Sequence, residues 1–322
     1  MNQPSFKDSR TFKDEPAQGV TWFTNNLEAI QAEIEEILYS EFRLNSYFPF
    51  VKNIPEGAQT YSYRVTDKQG NAGFIENFGT NANTAHVSAK IVPYVIQLGG
   101  IIAEWSMEDL RAAIMAGIPL DRETIEAATN ASMEHIEQVG LGTVADPRFE
   151  GLLTLSGVPI DLATAPWDTL TPDALVAEIQ SFITQIISQT NEIFGRVIRE
   201  QLALYVPLPI ANLIRNTRLS SVNDTSIWQY VSVNNLWTQY TNGKPLDMQI
   251  VQELEDFGTV GGQSRVLYGY PTASKVWEFA MPMSPRVNRI IPEAYSFTAP
   301  LEYKISGLNA KRPGGLLYVD GV

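Results

Sequence analysis

Residues Leu120–Pro159, LDRETIEAATNASMEHIEQVGLGTVADPRFEGLLTLSGVP, read as one long helix, a glycine break and an apolar segment. From Asp121 to Val139, Ile125, Ala128, Ser132, Ile136 and Val139 recur at steps of three and four, which puts them on one helical stripe. Pro119 suits a first helical turn, Asp121 and Glu123 suit its positive end, and Gly140 with Gly142 supplies a stop. At about 1.5 Å per residue such a helix is roughly 30 Å long, a rod along which the other elements must be laid. Just upstream, Ser106–Asp109 (S-M-E-D) has capping-box spacing and predicts a shorter helix through Leu110, Ile114 and Met115 that ends at Gly117.

Outward from this rod, the 322 residues are 44% hydrophobic and 18% charged, enough to bury a sizeable core and to divide into two lobes. No run of about 18 apolar residues exists, and Met1–Gly19 lacks an apolar signal region, so a membrane span and a secretory leader are both unsupported and the expected compartment is cytosolic. With no cysteine, disulfides, thiolate metal sites and cysteine nucleophiles are excluded together. A net charge of −13 argues against a protein built to grip nucleic-acid phosphates, which needs clustered Lys and Arg. The same balance also serves plain solubility.

The polar stretch Met1–Gly19 reads as an arm, ordered only if it lies on another surface and otherwise a frayed terminus. Asn25 and Glu28 open a helix through Leu27, Ile30, Ile34, Ile37 and Leu38 whose other face is acidic. From Ala58 to Val65 the period becomes two, with Tyr61, Tyr63 and Val65 against Ser62 and Arg64, a half-buried strand followed by a turn at Asp67–Gly73. An extended stretch through Phe74, Ile75 and Phe78, a polar loop at Gly79–Thr84 and a strand from Val87 to Ile102 complete a hairpin of some forty residues. A two-stranded ribbon of this kind is marginal alone in water, so it needs an external surface. Beyond the rod, Thr171 and Pro172 cap a helix carrying Leu175, Ile179, Phe182, Ile183 and Ile186, and Leu202–Pro207 reads as a buried strand. Helices at Ile210–Ile214 and Thr225–Val233 and strands at Met248–Leu254 and Arg265–Tyr270 follow, the two strands joined by a turn at Gly258–Gly262. Extended segments return from Met281, at Tyr295–Ile305 and Gly315–Val319, giving an α+β layer pattern.

Catalytic signals are poor. His86 and His135 lie far apart in sequence, and His135 lacks the H-E-x-x-H spacing that sets two ligands on one helical face. Gly140-Leu141-Gly142 with Ala145 matches a dinucleotide fingerprint in letters, but a helix precedes it and Asp146-Pro147 follows, where the turn requires a strand and then a helix. The carboxylate pairs Glu35/Glu36 and Glu253/Glu255 sit among charged neighbours with no sign of a pocket, and the sequons at Asn130 and Asn223 mean nothing without a secretory route. No catalytic, cofactor-binding or metal-ligating residue is assigned.

The order of elements, with W-S-M-E-D-L-R-A-A-I-M-A-G at Trp105–Gly117, G-L-L-T-L-S-G-V-P at Gly151–Pro159, and a tail running from Ile291-Pro292 through Leu301-Glu302-Tyr303 to Arg312-Pro313-Gly314-Gly315, resembles the major capsid proteins of tailed phages and prophages. Encapsulins and the floor of herpesvirus capsids share that fold. The similarity runs from about Val20 to the C-terminus. It implies an N-terminal arm (1–19), an extended loop (58–102) lying over a neighbouring subunit, and a peripheral domain gathered from 20–57, 103–165 and 280–322 around the rod as spine helix, with 166–279 as the axial domain. It further implies hexamers and pentamers of an icosahedral shell that encloses double-stranded DNA without sequence-specific binding, in a virion assembled in the bacterial cytoplasm. Portal, a separate scaffolding protein and decoration proteins are the implied partners, with no membrane. Only about twenty residues precede the first helix, hence the expectation that scaffolding is separate. Some members cross-link a lysine to an asparagine, but no motif gives that role to Lys52, Lys68 or Lys90. Two alternatives stand beside this: an encapsulin-like compartment holding a protein cargo, and a cytosolic enzyme with a concave pocket and perturbed titratable groups.

Overall fold

The computed structural model describes residues 43–69, 86–116, 120–144, 146, 148–190, 200–220, 224–259 and 263–322. The expected arm, the helix opening at Asn25, the stretch through Phe74, Ile75 and Phe78 with its loop, the Gly117–Pro119 corner and Gly261-Gly262 lie outside the described residues. In chain order, α1 (Leu44–Tyr47) leads to β1 (Phe50–Val51), β2 (Thr60–Gln69), β3 (His86–Val95), β4 (Gln97–Ser106), α2 (Met107–Ala116), α3 (Leu120–Leu141) and β5 (Ile160–Leu162). Then come α4 (Pro172–Gln189), β6 (Ala203–Val206), α5 (Leu208–Asn216), α6 (Ile227–Val233), α7 (Leu236–Tyr240), β7 (Asp247–Ile250) and β8 (Arg265–Gly269). The chain closes with β9 (Trp277–Ala280), β10 (Met283–Val287), β11 (Ile291–Pro292), β12 (Ser296–Ile305), β13 (Leu308–Ala310) and β14 (Leu317–Asp320).

The spine helix is α3, and its expected stripe faces inward: Ala128, Ser132, Ile136 and Val139 are buried and Ile125 partly so. It lies on a sheet in which β12 is central, with β4 paired along one edge through all ten residues and β10 and β11 sharing the other. Ala103 and Trp105 from β4, Met283 from β10, and Ala299, Leu301, Tyr303 and Ile305 from β12 are buried in this layer. Gly140 is not the stop the sequence implied. It lies inside α3, where an added Cβ would meet Leu44 Cδ1 at 2.5 Å, so its role is close approach to α1. The stop is Gly142, at φ +86°, with the amides of Gly142 and Thr143 both donating to the Gln138 carbonyl. The chain then doubles back, with Leu152 and Leu153 donating to the carbonyls of Gly140 and Leu141. That return buries Leu152, Leu153, Leu155 and Val158.

A second sheet has the order β5-β14-β8-β6-β7, covered by α4 through Leu175, Ile179, Phe182, Ile183 and Ile186. As expected, Thr171 caps α4 by accepting from the Ala174 amide. β6, next to the edge strand β7, is fully buried with apolar residues on both faces, and it has a neighbour on each side: β7 parallel and β8 antiparallel. For that reason the expected turn between strands at 248–254 and 265–270 is not a hairpin turn, and the first strand ends at Ile250, followed by a 3-10 turn at Gln252–Leu254. Gly315 likewise belongs to a 3-10 turn ahead of β14, and α7, capped by Asn235 accepting from the Thr238 amide, is an addition to the expected elements. β14 itself joins this second sheet, between β5 and β8.

The hairpin differs most from its expected form. Asp67–Gln69, read as a turn, continue β2 and pair with Ser88, Val87 and His86. The stretch 87–102 is two strands, since β3 pairs with β2 whereas β4 crosses to β12. The break is Ile96, which is buried with Ile54 and Ala280 and pins the chain where the ribbon leaves the body.

Candidate assembly surfaces

Ten consecutive pairs, from Thr60↔Val95 to Gln69↔His86, make β2 and β3 a ribbon of about 33 Å at ~3.3 Å per residue. Residues directly opposite share a face, and each strand alternates. One face holds Tyr61, Tyr63, Val65, Lys90, Val92 and Tyr94. Near the base this face is tethered to the body. The Tyr63 and Tyr94 rings stack at 5.5 Å, and Lys311 Nζ lies 5.7 Å from the Tyr63 ring while holding buried Glu278 at 2.6 Å. Burial, then the charge of Glu278 and a hydrogen bond with it, push the Tyr61 phenol up. Toward the tip the tether is gone, and Val65 is 42% exposed.

The other face is open at every position whose burial is described. Val87, Ala89, Ile91, Pro93 and Val95 follow one another at every second position of β3, all exposed, with Ile91 at 66%. Arg64, Ser62 and Thr60 of β2 stand opposite Ile91, Pro93 and Val95. The sequence carried the signal for this row, a V-x-A-x-I-x-P-x-V alternation, but a strand read straight through to Ile102 hid which residues share a face. A second open surface follows. No described strand pairs with the outer edge of β4, whose outward residues include Leu98, Ile102 and Glu104. In α2, Ser106 caps as expected, accepting from the Asp109 amide at 3.0 Å. Its inward residues are Leu110 and Ala113, one helical step apart, which leaves Ile114 (69%) and Met115 (90%) outside, contrary to the expected apolar stripe.

The interior is tied differently. Arg265 donates from Nε to Asp320 Oδ1 at 2.6 Å and from Nη2 to Oδ2 at 3.0 Å, and its Nη1 donates to the Leu153 carbonyl. Thr259 donates to the same carboxylate from its amide at 3.1 Å and from its hydroxyl, and the guanidinium lies 4.6 Å over the Tyr318 ring. Burial alone would raise the Asp320 carboxyl, but these hydrogen bonds and the Arg265 charge hold it below the usual carboxylate range. No signal in the sequence links residues 55 positions apart, and the pair was missed.

His86 and His135 do not come together, and Glu35, Glu36 and Asn223 lie outside the described residues. His86 begins β3, whereas His135 is on the spine, its Nδ1 2.7 Å from the Tyr303 hydroxyl. Glu253 is in the 3-10 turn, and burial, against Arg43 and with Glu253 and Glu134, pushes the nearby Glu137 carboxyl up. Among the described residues, no group of three or more His, Asp or Glu is placed to hold a metal ion, and no helix is long and apolar enough to cross a membrane. An open cleft lined by Gly142, Val144, Phe149, Thr154 and Phe257 contains Asp146, held at about 2 by its hydrogen bonds with Arg148, a surface pair.

A family model described as major capsid protein matches residues 70–322. No curated protein sequence matches the chain. Among solved structures, the chain is similar to the capsid of Myoviridae phage XM1, at 16% identity and TM-score 0.74, over 92% of this chain and 98% of that one. It is similar also to the capsid of a native GTA particle, at 10% identity and TM-score 0.63, over 99% and 98%. A third likeness, to Microbacterium phage Oxtober96, has 12% identity and TM-score 0.58 over 96% and 99%. At such identities the structural likeness establishes the α+β fold of phage capsids, and the family match over most of the sequence carries the function. The chain belongs to the major capsid protein family, the structural subunits of viral shells.

Proposed function

We propose that this subunit assembles with copies of itself as hexamers and pentamers into an icosahedral shell that encloses double-stranded DNA, formed in a bacterial cytoplasm. Portal, scaffolding and decoration proteins are its proposed partners, and DNA is held inside without sequence-specific contacts. The observation that carries the reading is the ribbon: ten residue pairs with an apolar row of β3, Val87 to Val95, exposed on one face, an arrangement that gains its burial only from a neighbour. One repeated heterologous contact closes into rings, as such a ribbon laid on the next subunit would. In this reading the ribbon belongs to an extended loop (58–102), 166–279 forms an axial domain, and 20–57, 103–165 and 280–322 form the peripheral domain, with β14 crossing to hydrogen-bond with β8. The subunit works through interfaces and has no catalytic step. A −13 chain also suits a wall that holds DNA without adhering to it. An encapsulin-like compartment has less support, because the matched family is that of major capsid proteins.

The test is the size distribution of the purified protein by light scattering, with negative-stain imaging of the largest species. Closed shells, or rings of five and six, are expected. A chain that stays monomeric at high concentration, with or without co-expressed scaffolding, would sink the proposal.

A further inference from the structure

The turn that leaves α7 lies apart from the surfaces above and carries its own chemistry. α7 ends in a Schellman cap, in which the Gly243 amide donates to the Thr238 carbonyl at 2.8 Å and the Asn242 amide to the Gln239 carbonyl at 3.5 Å. Such a cap needs a left-handed residue just past the helix. Asn242 supplies it at φ +62°, the single non-glycine residue of positive φ among the described residues. Gly243 follows at φ +97°, and both residues are exposed. In the whole sequence no other asparagine precedes a glycine.

Attack of the Gly243 backbone nitrogen on Asn242 Cγ would form a C–N bond and close a cyclic imide. The side-chain amide nitrogen leaves as ammonia, taking with it the proton that Gly243 gives up. Water then opens the ring at either carbonyl to aspartate or isoaspartate, so the balance is asparagine and water to acid and ammonia. The structure decides where this can run. An added Cβ at Gly243 would meet nothing within 4 Å, so no neighbour crowds the attacking nitrogen. Its proton is held by the Thr238 carbonyl, so the ring closes when the cap opens, and a helix of five residues resists that opening little. The other described asparagines that precede serine or alanine are held more firmly: Asn45 and Asn130 inside α1 and α3, and Asn309 buried on β13. We infer that Asn242 is a site of spontaneous covalent modification, converting to aspartate and isoaspartate ahead of the other described asparagines. Isoaspartate lengthens the backbone by a methylene, so the Gly243–Thr238 bond loses its register and the link from α7 to β7 loosens.

Peptide mapping by mass spectrometry of the purified full-length chain, aged at mildly alkaline pH, tests this, with an isoaspartyl methyltransferase as the labelling probe. The amide-to-acid mass change and the methyl label are expected first in the peptide that spans Asn242 and Gly243, and to grow with time. Asn242→Gly keeps a residue suited to the left-handed cap, so it should fold and melt as the parent does while the label at this turn is lost. Label that appears first at another described asparagine overturns the inference. So does an Asn242 that stays intact in the folded chain while a guanidinium-unfolded sample converts over the same time, because the cap would then be what protects it. The readout needs only the folded chain, so it is independent of whether the subunit assembles.

Discussion

The β2–β3 ribbon and the β5-β14-β8-β6-β7 sheet are built from similar amounts of strand, yet they meet opposite environments. In the sheet, ALYV, RVLYG and LYVD are buried at every position, so both faces are covered within the chain. In the ribbon, β3 has no fully buried residue, and five apolar or small side chains in a row face solvent. The sheet is therefore held by the subunit's own core, with Tyr205, Tyr268, Trp277 and Tyr318 inside it. The ribbon is held within the subunit by backbone pairing and a tether at its base. The comparison teaches that burial here is divided between two levels of organisation: folding completes the sheet, whereas association completes the ribbon.

The sharpest test of the first half is Asp320→Ala. It strands the buried Arg265 guanidinium and should cost about 3–5 kcal/mol in urea unfolding. A loss under about 1 kcal/mol would mean that the sheet does not depend on the knot. Acid should act on the same group more gradually. The Asp320 carboxyl is depressed in the fold, so its contribution is present above the ordinary carboxylate value of about 4 and is lost as pH falls below it. Thermal melts of the parent between neutral pH and pH ~3 should show an acid limb that Asp320→Asn flattens. Removing the Tyr303 hydroxyl, which meets His135 on the spine, should cost about 1 kcal/mol in Tyr303→Phe. A smaller effect of opposite sign is expected at Glu137. Its carboxyl is raised by burial, so ionisation opposes folding at neutral pH and ceases to do so as pH falls through the raised value. Glu137→Gln should melt slightly higher at pH 7 and no higher in acid. The smallest change in subunit stability is expected on the ribbon, where Val87→Asp should stay within about 0.5 kcal/mol of the parent. Unfolding of the subunit by that substitution would break the comparison, because it would place the exposed row inside the core.

Most of the elements were legible because their patterns are local. The spine stripe from Ile125 to Val139, the Ser106 and Thr171 caps and the all-apolar LALYV run each follow from periodicity or from a side chain reaching a nearby amide. The errors have one physical cause: a local pattern does not name its partner. Gly140 looked like a helix stop, but the presence of Leu44 beside it makes it a contact point. The stretch from Val87 to Ile102 reads as one strand until β12 claims its second half and Ile96 is drawn into the core. Ile114 and Met115 satisfied an apolar tally for α2, but the direction of the sheet beneath that helix selected Leu110 and Ala113 instead.

By itself, then, the sequence determined an acidic, cysteine-free α+β chain with a long amphipathic spine and a ribbon too weak to stand alone, because composition and periodicity are properties of neighbouring residues. Only the tertiary structure decided which row of the ribbon is open, which strand leaves it for the spine's sheet, and that Arg265 and Asp320 close the fold. Those outcomes depend on contacts between residues tens to hundreds of positions apart, which the packing of the layers alone selects.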